Sequence, residues 1–117
     1  MRILIADDEA PARARLASLL AELGPPWQLA GKAADGDQVL AACEGGDIDL
    51  VLMDIRMPGT NGLAAAQRLT AMPRPPAVIF TTAYDQHALA AFEADAVDYL
   101  LKPIRKDRLL RALQKAQ

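Results

Sequence analysis

Three carboxylates, a hydroxyl and an ammonium stand directly after apolar runs of this 117-residue chain, in Asp7, Asp8, Asp54, Thr82 and Lys102. Three carboxylates gathered in one place repel each other and raise each other's pKa unless a cation shares the site. Oxygen ligands in this number suit Mg²⁺, which keeps several waters and favours a phosphate partner. The Lys102 ammonium and the Thr82 hydroxyl could hold the oxygens of a phosphoryl group placed on Asp54. The chemistry indicated is phosphoryl transfer, in which positioning and charge neutralisation do most of the catalysis.

Asp54 is the most informative of these residues. An apolar run from Leu50 leads into it, and a loop with proline and glycine follows. Such a run is typical of a strand buried on both faces, in a parallel sheet covered by helices. Ligands of these sheets bind beyond the carboxyl ends of the strands, so Asp54 is the first candidate for chemistry. The alternative is that Asp54 only caps the next turn, but Thr60 and Asn61 stand closer to the next helix and are better caps.

The hydrophobic pattern predicts five strands that alternate with five helices. The strands are expected at Arg2–Ala6, Trp27–Ala34, from Leu50 into Asp54, Ala77–Thr82 and Val97–Leu101. This alternation is the pattern of a doubly wound parallel sheet with right-handed crossovers. The carboxyl ends of parallel strands share one edge, so the five polar side chains are expected on one rim.

Apolar stripes, caps and prolines place the helices between these strands. The first helix includes Pro11 in its first turn, Asp35-Gly36 opens the second, and the fourth is expected from about Asp85 to Glu93. The side chains expected to face the core are Leu16, Leu19, Leu20, Leu23, Val39, Leu40, Cys43, Leu63, Ala66, Leu69, Leu109, Leu110 and Leu113. In the last helix, five cationic side chains are expected in solvent: Arg105, Lys106, Arg108, Arg111 and Lys115.

The composition excludes several classes of function. One domain is expected, because 117 residues with 52% hydrophobic residues suit one compact core. A net charge of −2 argues against a nucleic-acid-binding face within this segment. The single cysteine, Cys43, excludes an internal disulfide and a multi-cysteine metal site, and a buried filler is expected. Aspartates come too early for a signal peptide and no apolar run nears the roughly 18 residues of a membrane span, so a cytoplasmic protein without membrane contact is expected.

Three ring-bearing side chains have a plain structural interpretation. Trp27 is expected to pack on a strand. His87 is expected in solvent, because no ligand partner stands at metal spacing. Tyr99 could be a half-buried filler of the sheet.

With these residues assembled, the whole chain closely resembles the receiver domain of bacterial two-component response regulators. The motifs are Asp7-Asp8-Glu9, Met53-Asp54-Ile55-Arg56-Met57-Pro58-Gly59 leading to Gly62, Thr82-Ala83, and Asp98-Tyr99-Leu100-Leu101-Lys102-Pro103. They are specific in combination. The resemblance implies the flavodoxin-like or CheY-like (βα)5 fold, with five parallel strands in the order 2-1-3-4-5.

The resemblance also implies a role for each acidic residue of the rim. Asp54 is implied to be the phospho-acceptor. Asp7 and Asp8 are implied to hold Mg²⁺ together with Asp54 and the backbone carbonyl of Arg56. The chain is then no enzyme with outside substrates, since it catalyses only its own phosphorylation and dephosphorylation.

By the same resemblance, Lys102 and Thr82 bind the phosphoryl oxygens, and Thr82 and Tyr99 are the switch residues. The family carries a cis peptide at Lys102-Pro103, which fits the near-confinement of cis bonds to X-Pro. Ile104 departs from the pattern, because many receivers have an aromatic residue there.

Arg56 and Tyr84 are expected to tune the lifetime of the phosphorylated state. They stand two residues beyond Asp54 and Thr82 and flank the path of an attacking water. Both are large and neither activates water, so a lifetime of minutes to hours is expected.

A finer resemblance to the LytTR (LytR/AlgR) class lies in Thr82–Glu93 and Ala96–Ile104. Regulators of that class carry a C-terminal DNA-binding domain, so residues 1–117 are expected to be the N-terminal receiver of a longer regulator that contacts DNA only through that domain. The alternative is a free-standing receiver that acts through protein contacts. The implied phosphoryl donor is a sensor histidine kinase.

A homodimer is expected on phosphorylation, through the face made by the fourth predicted helix, the fifth strand and the last helix. This face mixes Asp95, Asp98, Arg105, Arg108 and Arg111, and opposite charges could pair there across a two-fold axis.

Three other functions compete with the receiver. A haloacid-dehalogenase-type phosphatase would place its Asp-x-Asp pair after the first strand, whereas here the acceptor follows the third. A flavin- or nucleotide-binding module would want a phosphate loop rich in glycine or hydroxyls where Asp7-Asp8-Glu9 stands. A pseudo-receiver would lack part of the site, but all five site residues are present.

Overall fold

Five parallel strands form one sheet in the order β2-β1-β3-β4-β5. The computed structural model describes residues 1–83 and 96–117. The strands are β1 (Arg2–Ala6), β2 (Gln28–Ala33), β3 (Leu50–Asp54), β4 (Ala77–Thr82) and β5 (Asp98–Leu101). Four helices lie in the described ranges: α1 (Ala10–Leu23), α2 (Gly36–Cys43), α3 (Gly62–Leu69) and α4 (Lys106–Ala116). The doubly wound fold and its strand order are confirmed, while the helix expected from about Asp85 to Glu93 lies outside the described residues.

The sheet buries both of its faces. All five residues of β3 are buried, because this strand lies at the centre of the sheet between two apolar clusters. One cluster includes Val39 of α2 and Leu69 of α3, and the other includes Leu16 of α1 and Leu109 of α4. Helices therefore cover both faces, as the uninterrupted apolar run of β3 indicates.

Cys43 is the buried filler that the sequence predicts. It lies in the cluster under α2 and α3, with 3% of its surface exposed. Burial raises the pKa of its thiol to about 11. The thiol is therefore protonated and unreactive in the folded chain at neutral pH.

Side-chain caps fix where two helices begin. The Asp35 carboxylate accepts the N–H of Gln38 at 2.8 Å at the start of α2. The Asn61 side chain accepts the N–H of Ala64 at 2.9 Å at the start of α3, as its position in the sequence predicts. These caps hold the loops that leave the carboxyl edge of the sheet.

Trp27 stands just before the edge strand β2 and packs, partly buried, against the cluster under α1 and α4. This is the packing role that the sequence predicts for it. Within the ranges that the structure describes, no helix has the length and apolar character needed to cross a membrane.

Candidate metal and phosphate site

Four polar residues meet where parallel strands end. Asp7 follows β1, Asp54 ends β3, Thr82 ends β4 and Lys102 follows β5. The pairing of Asp54 with Thr81 brings the ends of β3 and β4 level. Asp7, Asp54 and Thr82 are all buried, so the rim is a sheltered polar pocket and not a scatter of surface groups.

Three carboxylates form one cluster on this rim. Asp7, Asp8 and Asp54 each offer an oxygen, and these oxygens lie within 4.8 Å of one another. Asp7 and Asp54 are buried, whereas Asp8 is exposed. Burial and the charge of Asp7 raise the pKa of Asp54 and outweigh the opposing charge of Lys102, so a further cation would stabilise the ionised carboxylates. Three hard oxygen donors with excess negative charge are a donor set that fits Mg²⁺.

The ammonium of Lys102 joins two of these carboxylates. Its Nζ lies 2.9 Å from Asp7 Oδ2 and 3.4 Å from Asp54 Oδ2. Burial opposes the charge of Lys102, but the hydrogen bond and charge of Asp7 together with the charge of Asp54 outweigh burial and raise its pKa. Lys102 therefore brings a permanent positive charge to Asp54.

Asp7 is held firmly from three directions. Its Oδ1 accepts the N–H of Glu9 at 2.9 Å, and its carbonyl accepts Nη1 of Arg13 at 2.7 Å. Its own N–H donates to the carbonyl of Ala33 at 3.0 Å. By contrast, Oδ1 of Asp54 accepts a longer bond of 3.4 Å from the N–H of Arg56.

The loop after Asp54 turns back tightly beneath it. Gly59 has a φ of +70°, which favours glycine. A Cβ on Gly62 would overlap the carbonyl oxygen of Asp54 and lie 2.9 Å from the Cα of Ile55. The N–H of Gly62 donates to the carbonyl of Ile55 at 2.8 Å. The glycines of this motif therefore set the backbone path that places Asp54.

Several other residues singled out in the sequence lie in the part of the chain that the structure describes. The carbonyl of Thr82 accepts the N–H of Lys102 at 2.8 Å, and the peptide bond from Lys102 to Pro103 is cis. Tyr99 is half-buried in β5 and pairs with Phe80 of β4. The side chain of Arg56 is exposed. Tyr84, His87 and Asp95 lie outside the described residues.

Two charged residues of the expected dimer face, Asp98 and Arg108, pair with each other within the chain. Nη1 and Nη2 of Arg108 donate to the two carboxylate oxygens of Asp98, each at 2.9 Å. Nη2 also donates to the carbonyl of Tyr99 at 3.2 Å. The expectation that Arg108 simply stays in solvent is wrong, because a half-buried carboxylate on β5 lies within reach of α4.

Two arginines of α1 contact the backbone around the site, and the sequence does not predict either contact. Arg13 donates to the carbonyl of Asp7, and Nη2 of Arg15 donates to the carbonyl of Ile104 at 2.9 Å. The only signal for them in the sequence is their nearness to Asp7, because periodicity places both simply on polar faces of a helix.

Known proteins share this sequence along nearly its whole length. A family model described as the response regulator receiver domain matches residues 3–114. The positive alginate biosynthesis regulatory protein of Pseudomonas aeruginosa is 48% identical over 116 residues, which are 99% of this chain and 47% of that protein. The sensory transduction protein LytT of Bacillus subtilis is 41% identical over 115 residues, which are 98% of this chain and 47% of LytT.

A solved structure supports the same assignment. The response regulatory domain of mrkE from Klebsiella pneumoniae superposes with a TM-score of 0.85 at 33% identity, over 99% of this chain and 94% of that chain. The present chain spans about half the length of the curated relatives named above. The chain belongs to the response regulator receiver domain family of two-component systems, and its relatives are regulators of the LytTR class.

Proposed function

We propose that this chain is a phospho-accepting receiver that takes a phosphoryl group from a sensor histidine kinase onto Asp54. Mg²⁺ would be held by Asp7, Asp8, Asp54 and the backbone carbonyl of Arg56. The observation that carries the proposal is the pocket in which Asp54 shares one ammonium with Asp7, while an oxygen of Asp8 lies within 4.8 Å. A buried carboxylate that is only loosely held and has a cation beside it suits a nucleophile toward phosphorus.

In the proposed reaction an oxygen of Asp54 forms a bond to phosphorus, and the bond from phosphorus to the donor's histidine nitrogen breaks. Bound Mg²⁺ would neutralise charge on the transferred group and on the carboxylates. Lys102 would leave Asp54 for a phosphoryl oxygen, and the Thr82 hydroxyl would donate to another. Asp7 would stay in place, because its backbone and Oδ1 are anchored independently of Lys102.

The proposed output is a change at the switch residues Thr82 and Tyr99 that favours a homodimer. In the longer regulator this dimer would control a LytTR-type DNA-binding domain in the cytoplasm. The length of the relatives supports this, since they are about twice as long as this chain. A free-standing receiver is the alternative. The sequence encoded after Gln117 decides between them, because the regulator requires a further domain of roughly 100 residues with a basic face.

The test of the site is phosphorylation by acetyl phosphate, followed by intact-mass spectrometry. The parent chain should gain one phosphoryl group with Mg²⁺ and none in EDTA, and Asp54→Asn should gain none. The matched control is Asp49→Asn, at the opposite end of β3, which should behave like the parent. Equal phosphorylation of Asp54→Asn, or full phosphorylation in EDTA, would refute the assignment.

A further inference from the structure

The position of the Lys102 ammonium depends on a loop at the edge of the sheet. β5 is an edge strand with β4 as its neighbour, and the N–H of Lys102 donates to Thr82 at its end. The chain then leaves the sheet through Pro103, which has no N–H to donate. The contacts of the residues after Lys102 therefore determine the backbone position from which its side chain extends.

Arg15 anchors this loop from the other end of the chain. Its Nη2 donates to the carbonyl of Ile104 at 2.9 Å, across 89 residues of sequence. The side chain of Ile104 is buried in the cluster under α1 and α4. A hydrogen bond from a guanidinium is charge-assisted and about twice as strong as a neutral one. The backbone two residues beyond Lys102 is thus tied to α1.

The same helix also holds the partner of Lys102. Arg13 of α1 donates to the carbonyl of Asp7 at 2.7 Å. Asp7, Arg15, Lys102 and Ile104 line one small cavity of about 120 Å³. One helix therefore contacts the backbone at both ends of the ion pair between Asp7 and Lys102.

We propose that Arg15 is a positioning residue of the phosphoryl-transfer site, which keeps the Lys102 ammonium between Asp7 and Asp54 by holding the loop from β5 to α4 against α1. The inference rests on the proposed function, since it assigns to Arg15 a task in that reaction. Arg15 acts through Lys102 and is not placed against the phosphoryl group.

The experiment compares Arg15→Met, Arg15→Lys and the parent chain in two measurements. The first is the rate of phosphorylation by acetyl phosphate at saturating Mg²⁺. The second is the rate at which the protons of the Lys102 ammonium exchange with water, measured by ¹⁵N NMR without phosphate. Urea unfolding of each variant establishes that it is folded under the conditions used.

Arg15→Met should slow phosphorylation by about threefold to tenfold, the effect of losing one net hydrogen bond, and should speed ammonium exchange. In Arg15→Lys both rates should lie between those of Arg15→Met and the parent chain, since lysine keeps a charged donor. The matched control is Arg2→Met. Nε of Arg2 also donates to a loop carbonyl, that of Asp47 at 3.1 Å, but at the amino ends of the strands. Arg2→Met should change neither the rate of phosphorylation nor the rate of ammonium exchange.

Unchanged phosphorylation and unchanged exchange in Arg15→Met would overturn the positioning role, and so would equal changes in Arg2→Met. The experiment can refute either proposal without refuting the other. A parent chain that accepts no phosphate refutes the proposed function, whereas faster exchange in Arg15→Met still supports the placement of Lys102 by Arg15.

Discussion

Asp7 and Asp54 are both buried aspartates on one rim, yet they are held differently. Asp7 receives bonds of 2.9 Å on each carboxylate oxygen, from Glu9 N–H and Lys102 Nζ. Asp54 receives bonds of 3.4 Å, from Lys102 Nζ and the N–H of Arg56. The firm contacts suit the role proposed for Asp7, which is to orient a metal and an ammonium. The looser contacts suit the role proposed for Asp54, which would exchange partners as it accepts the phosphoryl group.

Replacing Lys102 by alanine should separate the metal site from the response to phosphorylation. Mg²⁺ binding should persist, because the three carboxylates remain, whereas phosphorylation should slow by about 10²-fold with the loss of a charged donor. Phosphorylation-dependent changes in amide exchange should disappear from β5. Lys32→Ala, on the exposed side of β2, is the matched control. Native-like dimerisation or exchange changes in phosphorylated Lys102→Ala would contradict the role of this residue.

The lifetime of phospho-Asp54 should depend on Arg56 and Tyr84. We expect decay over minutes to hours, because both residues are large and neither is a carboxylate or an amide that would activate water, so water exclusion should dominate over assistance. The combination of Arg56→Asn with Tyr84→Glu should decay faster, as measured by intact mass after donor removal. Arg74→Asn, in the loop before β4, serves as the control. A double variant that decays no faster than the parent would show that other groups set the rate.

At the scale of secondary structure, an ion pair joins β5 to α4. Burial alone would raise the pKa of Asp98, but the hydrogen bonds from Arg108 and from the N–H of Tyr99 outweigh it and lower that pKa. The hydrogen bonds that Arg108 donates to the Asp98 carboxylate raise the pKa of Arg108. Because Arg108 also holds the carbonyl of Tyr99, this clamp fixes the strand that carries a proposed switch residue.

Arg108→Met should therefore destabilise the fold at neutral pH. We expect about 1 kcal/mol, since the Arg108 side chain is 36% exposed and solvent screens the pair. The folded pKa of Asp98 lies below its ordinary value of 3.8, so the stabilisation is present above that pH and is lost as the pH falls through the folded pKa. Urea unfolding across this range, with Arg68→Met as control, should show the difference shrinking below pH 3.8. A difference independent of pH would contradict the role of the pair.

At the scale of the whole molecule, the parallel sheet explains why the grouping of polar side chains at its carboxyl edge could be predicted from the sequence. Asp7, Asp54 and Lys102 are far apart in sequence, but each lies at the end of a strand or directly after it, and strands of one direction end at one edge. The bridge from Arg15 to Ile104 could not be predicted in this way. A long side chain that reaches a carbonyl 89 residues away leaves no periodic signal in the sequence. The pairing of Arg108 with Asp98 could not be predicted either, because it depends on how α4 packs against β5.

The proposed dimer face consists of the helix predicted from about Asp85 to Glu93, together with β5 and α4. Asp98 and Arg108 satisfy each other within the chain, which leaves the exposed Arg111 of α4 as the better test. Arg111→Glu should weaken the phosphorylated dimer about tenfold while the free energy of unfolding changes by less than about 0.5 kcal/mol. Sedimentation of phosphorylated chains measures this, with Arg68→Glu on α3 as control. An unchanged dimer would refute the face.

The buried thiol of Cys43 makes the chain its own reporter of unfolding. It is the single cysteine of the sequence, and its raised pKa of about 11 keeps the thiolate scarce in the folded state. A thiol reagent added to the native protein should therefore react only through opening of the packing between the sheet, α2 and α3. The labelling rate can be compared with and without Mg²⁺ or acetyl phosphate. The difference measures how much occupation of the rim suppresses opening of this packing, without any engineered probe.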